Sequence, residues 1–88
     1  MVKTADIIKD FCEEYDLGFY KDYSGRGMYG KLCVGIVCGD ILGTLVKLCD
    51  YLNNFLEDGE SLSDYIGTPK TDSLGLDCIL YFPNIQMS

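Results

Sequence analysis

The 88 residues predict one α+β domain, residues 1–88, with two helices packed on a three-stranded sheet in a small two-layer arrangement. Three observations carry that reading. Apolar residues recur at helical spacing over 7–15 and again over 41–56. Runs at 19–23, 31–38 and 76–82 are short, alternate at a period of two, and are aromatic or β-branched. Gly, Pro, Asn and Asp cluster between these stretches, where turns belong. The expected order is α-β-β-α-(short α)-β.

Thr4 or Asp6 can cap the first helix, whose stripe is Ile7, Ile8, Phe11, Cys12 and Tyr15, with Lys9, Asp10, Glu13 and Glu14 opposite. Gly18 suits the position just past its end. Phe19 to Tyr23 is the first strand, and Lys31 to Cys38 the second. In the second, Leu32, Val34, Ile36 and Cys38 share one face and Cys33, Gly35 and Val37 the other. Apolar residues on both faces imply a central strand, or one with something packed on each side. Gly39-Asp40 caps the main helix, which runs to about Leu56 with an apolar arc wide enough for deep burial or for contact with another subunit. Ser61 and Asp64 resemble a capping box opening a single turn through Ile66 before Gly67. Residues 67–75 read as a loop, Leu76 to Phe82 as the last strand, and the tail after Pro83 as frayed or adding an edge contact.

The first hairpin is joined by the most unusual stretch of the chain, Tyr23-Ser24-Gly25-Arg26-Gly27-Met28-Tyr29-Gly30-Lys31. It holds three glycines and the sole arginine, and it is longer than a tight hairpin turn needs. Successive backbone N–H groups in such a turn can hold an anion. An arginine fork suits phosphate or carboxylate, and Tyr and Met are adaptable contact residues. If the long helix crosses over the sheet, the last strand runs parallel to the second, and the loops 24–30 and 67–75 share one end. Arg26, Lys31 and Lys70 then form a positive island. The purely structural alternative is an unusual turn, Arg26 paired with an acid such as Asp22, and tyrosines capping the core.

Net charge is −7, with 48% hydrophobic residues. The acidity disfavours nucleic-acid backbones, which are gripped by Lys and Arg; it is that of an ordinary solvated acidic protein, or it suits a basic partner surface. The longest apolar runs fall well short of the ~20 residues a membrane span requires. No signal peptide precedes the first helix, so a cytoplasmic protein is expected. Five cysteines, an odd number with no CxxC, and no histidine disfavour zinc and disulfides. The cysteines read as reduced core residues.

Catalysis finds little support. Without histidine, a Ser or Cys nucleophile lacks its usual base. Ser24 is not in a nucleophile elbow. The glycine stretch is neither a P-loop nor a dinucleotide fingerprint. The acids at turns and caps have structural reasons to be there. No enzyme activity, metal or cofactor is expected.

The run from Tyr23 through Ile36, with Thr71-Asp72-Ser73-Leu74-Gly75-Leu76 later, resembles a pattern in small uncharacterised proteins of bacteriophages and mobile elements. That resemblance implies a phage-type accessory protein working in a bacterial host. Small acidic members of that class often inhibit host defence, by blocking a nucleic-acid-binding effector or sequestering a nucleotide signal.

The expected function is therefore a non-enzymatic binding protein that holds an anionic or nucleotide-like ligand, or a partner protein. Its contacts would be Ser24, Gly25, Arg26, Gly27, Met28, Tyr29, Lys31, Lys70, Thr71 and Asp72. The alternative is an acidic nucleic-acid mimic that inhibits a basic effector through Asp10, Glu13, Glu14, Asp50, Glu57, Asp58 and Glu60. A homodimer is compatible with either.

Overall fold

The computed structural model describes residues 4–25 and 28–86. In chain order these form helix α1 (Thr4–Glu14), strand β1 (Gly18–Tyr23), strand β2 (Cys33–Cys38), helix α2 (Ile41–Asn53), helix α3 (Leu62–Ile66), strand β3 (Lys70–Leu74) and strand β4 (Asp77–Phe82). The class is α+β, built on one four-stranded antiparallel sheet of order β1-β2-β4-β3.

Two expectations about the sheet are corrected. It has four strands rather than three, because residues 70–74 form β3 instead of belonging to a loop. Lys-Thr-Asp-Ser-Leu has no apolar alternation, but an edge strand with polar side chains needs none. Gly75, at φ 64, and Leu76 turn the chain tightly into β4, so Leu76 is fully exposed in a turn and not the first core residue of a strand. The last strand is also not parallel to β2: Val34 pairs with Phe82 and Cys38 with Cys78, antiparallel. The expected crossover is made by β3, which runs in the same direction as β2. The β3–β4 hairpin then reverses the chain and slots β4 between them.

Local signals account for the helices. Asp40 caps α2, its carboxylate accepting from the Gly43 N–H at 3.0 Å. The Ser61 N–H donates to Asp64 Oδ2 at 2.8 Å, the reciprocal half of the expected box. Past α1 it is Asp16, at φ 55, and not Gly18 that takes the left-handed position. The Leu17 N–H then reaches the Cys12 carbonyl at 2.8 Å, a Schellman closure that leaves Gly18 free to begin β1.

The helices cover one face of the sheet. Phe11, Leu48, Leu52, Ile36, Leu80 and Phe82 are buried there in one cluster. Full burial of such side chains stabilises by about 1.5–3 kcal/mol each. Leu32, expected on this face, precedes β2 and is half exposed. The wide arc of α2 divides: Thr44, Leu48 and Leu52 are buried, whereas Leu42 and Val46 face outward. The tail is pinned, since Ile85 is buried and its carbonyl accepts from the Val34 N–H at 3.0 Å.

The second face is also closed. Cys33, Ile79 and Tyr81 lie there with 2% or less of their surface exposed, in a separate cluster with Met28. Among the described residues, Met28 and Gly25 of the β1–β2 connection and Tyr23 of β1 supply the cover. Ile79→Ala is therefore expected to cost about 2–5 kcal/mol, as in a conventional core. Urea unfolding checks this, and a loss below about 0.5 kcal/mol, typical of surface sites, would refute the buried second face.

Candidate functional site

In the connection between β1 and β2, Gly25 and Met28 lie back against the sheet. Its plug is Met28, 7% exposed, seated against Cys33, Ile79 and Tyr81. The thioether accepts from the Gly25 N–H at 3.1 Å and from the Cys33 thiol at 3.8 Å. The Met28 N–H donates to the Gly25 carbonyl at 3.2 Å. Gly25 lies so close to the Tyr81 ring that a Cβ there would overlap it. Absence of a side chain is what lets this backbone approach.

From Met28 the chain makes a tight turn, closed by the Lys31 N–H donating to the Met28 carbonyl at 3.1 Å. The two central residues, Tyr29 and Gly30, have φ 52 and 87. Positive φ at both central positions is the type I′ pattern, which favours Asn or Gly at the first. Here that position holds a tyrosine with 96% of its surface exposed. Met28 is driven in and Tyr29 is driven out, by adjacent residues of one turn.

A second device crosses the same face. β1 and β3 are the two edges of the sheet, yet the Tyr23 hydroxyl donates to Asp72 Oδ2 at 2.7 Å. The Tyr23 ring packs on Tyr81 at 5.0 Å between centroids and lies 6.0 Å from Tyr20. Tyr20 opposes Gly35, Tyr23 opposes Cys33, and the register shifts between them. That irregularity puts two tyrosines three apart on one face, which strict alternation forbids. Burial pushes the Tyr23 phenol up to about 12, and the hydrogen bond and charge of Asp72 push the same way. Burial likewise raises the Cys33 thiol, and it takes Cys12 to about 12. At neutral pH these sulfurs are thiols, poor nucleophiles and poor metal ligands.

The expected contact residues separate accordingly. Ser24, Tyr29 and Lys31 are exposed on the loop, Gly25 is half-buried and Met28 is interior. Arg26 and Gly27 lie outside the described residues. Lys70, paired with Tyr81, stands exposed at the loop end of β3 on the second face. Asp72 is on that face further along, held by Tyr23, and Thr71 pairs with Leu80 and so belongs to the other face. The loop and Lys70 thus come to one end, whereas Gly75 turns at the far end. Residues 67–75 do not form a second binding loop. Tyr20 is an addition to the surface, brought to the face of Tyr23 by the bulge.

Burial of the Tyr23 phenol, together with its bond to Asp72, gives a pH signature. Its ordinary phenol pKa is 10.0, and the folded value is about 12, so the folded state holds the proton more tightly. The stabilisation is complete below pH 10 and is lost as pH rises from 10 towards 12. Tyr23→Phe should cost about 0.5–1.5 kcal/mol at neutral pH. It should also flatten the stability loss in the alkaline window, as read by denaturant midpoints against pH.

Comparison with protein-family models, with curated proteins and with solved structures returns no match.

Proposed function

We propose that the chain is a non-enzymatic binding protein of phage type, acting in a bacterial host. Its contact surface is the loop 24–32 with Lys70 beside it. The observation that carries the reading is Tyr29. A non-glycine residue in the left-handed region costs about 1–2 kcal/mol, and an aromatic ring fully in water recovers none of it. Residues held at such cost are concentrated at functional sites. Tyrosine is among the side chains that most often anchor interfaces, because a large amphipathic ring is immobilised at small entropic cost.

The loop is also preorganised. Met28 fixes the base of the turn in a closed apolar pocket, so Tyr29 is presented from a built support. Ser24 and Lys31 are exposed on the same connection and Lys70 is exposed at the same end of the sheet, which adds hydroxyl and ammonium donors to that end. That set matches a carboxylate-bearing protein surface, or a nucleotide whose base stacks on Tyr29 while its phosphate meets the lysines. Neither occupant requires covalent chemistry.

Tyr29→Gly separates binding from folding. It should raise stability by about 0.5–1 kcal/mol, by relieving the left-handed strain, while abolishing capture of the partner. The measurement pairs thermal unfolding with affinity capture from bacterial lysate and, for small ligands, amide spectra titrated with mononucleotides. Capture unchanged by Tyr29→Gly would reject the reading.

A further inference from the structure

On the helix side of the sheet, among elements that share no residue with the loop, lies an open groove of about 850 Å³. This falls within the ~300–1,000 Å³ of sites that accept a small-molecule-sized body. Its walls come from the start of α1, the α2–α3 connection, α3 and the tail after β4. Ile7 and Ile85, both buried, contribute to an apolar floor. Phe55, 37% exposed, and Tyr65 add aromatic surface, and Glu57, Glu60 and Asp64 add three carboxylates. No Lys or Arg is among the described lining residues.

We infer that this groove receives an arginine side chain from a basic segment of a partner protein. Apolar floor, aromatic rings and carboxylates are what a guanidinium uses together. It stacks flat on rings, is weakly hydrated enough to sit against apolar surface, and forks onto carboxylate oxygens. An ammonium is more strongly hydrated and gains less from the same walls. A second copy of the chain is disfavoured, because symmetric contact here would set carboxylates against carboxylates in a protein of net charge −7.

The carboxylates are not equally available. Glu60 Oε1 accepts from the Glu57 N–H at 2.7 Å and from the Tyr65 hydroxyl at 2.9 Å, and Asp64 accepts from the Ser61 N–H. Glu57 gives its backbone to this network and not its carboxylate. It is therefore the acid to change without dismantling α3. The phenol of Tyr65 is raised by its bond to Glu60 first, then by burial, and then by the charges of Glu60, Glu57 and Asp64.

The probe is a fluorescein-labelled hexa-arginine peptide, with hexa-lysine as comparison, followed by anisotropy and by amide spectra. Arginine should bind more tightly than lysine, and the shifted amides should be those lining the groove. Glu57→Lys should weaken the arginine peptide by about tenfold or more. Asp58→Lys makes the same charge change on an exposed neighbour outside the groove, and should weaken it by less than about twofold. If Glu57→Lys does not fold, Glu57→Gln with Asp58→Asn as control makes the same comparison. Equal losses in both variants would mean attraction to net charge alone, and would overturn the proposal. So would absence of binding, or amide shifts confined to other surfaces. Tyr29→Gly should leave the peptide affinity unchanged, which keeps this test independent of the loop.

Discussion

The central antiparallel pair β2–β4 is buried on both faces, and the rest of the fold answers that constraint. Val34, Ile36, Leu80 and Phe82 face the helices, while Cys33, Ile79 and Tyr81 face away from them. A chain of 88 residues has its helices committed to one layer. The centre of the other face is covered instead by Met28 and Gly25 of the β1–β2 connection and by Tyr23 of β1. Exposing such apolar area would cost a large share of the 5–15 kcal/mol that typically separates folded from unfolded states. Gly25 and Met28 thus serve the sheet first, and the exposure of Tyr29 depends on that seating.

This arrangement gives the two candidate surfaces different chemistry. The loop surface combines an exposed tyrosine with lysines drawn from a chain that has few basic residues. The groove on the helix side collects acids around aromatic walls. Because the surfaces share no element, their electrostatics can be altered separately. A partner that used both would need a surface carrying charges of both signs.

Much of the architecture was legible because it rests on periodicity and punctuation. The apolar stripes gave α1 and α2, Asp40 and Ser61 gave the caps, and the two-sided apolar character of Cys33–Cys38 indicated cover on each face. What stayed hidden has physical reasons. β3 is a polar edge strand, held by backbone pairing to β4, so its side chains announce no burial. The parallel placement of the last strand followed from that omission. In the site, the inward turn of Met28 and outward turn of Tyr29 depend on two positive φ angles, one at a residue that ordinarily avoids them. Tyr20 and Tyr23 share a face through a register shift that no alternation rule encodes. The groove is assembled from four separate segments, none of which carries a motif alone.

The seating of Cys33 beneath the loop has a kinetic consequence. Its sulfur is buried and touches the thioether that holds the loop down. A thiol reagent reaches that atom when Met28 lifts from the sheet or when the whole chain unfolds, whereas Cys12 and Cys38 are enclosed in the larger helix-side cluster. The ratio of labelling rates at Cys33 and at these two, under native conditions, therefore separates local opening from global unfolding. Cys33 is thus an internal reporter of whether Met28 stays seated on the sheet.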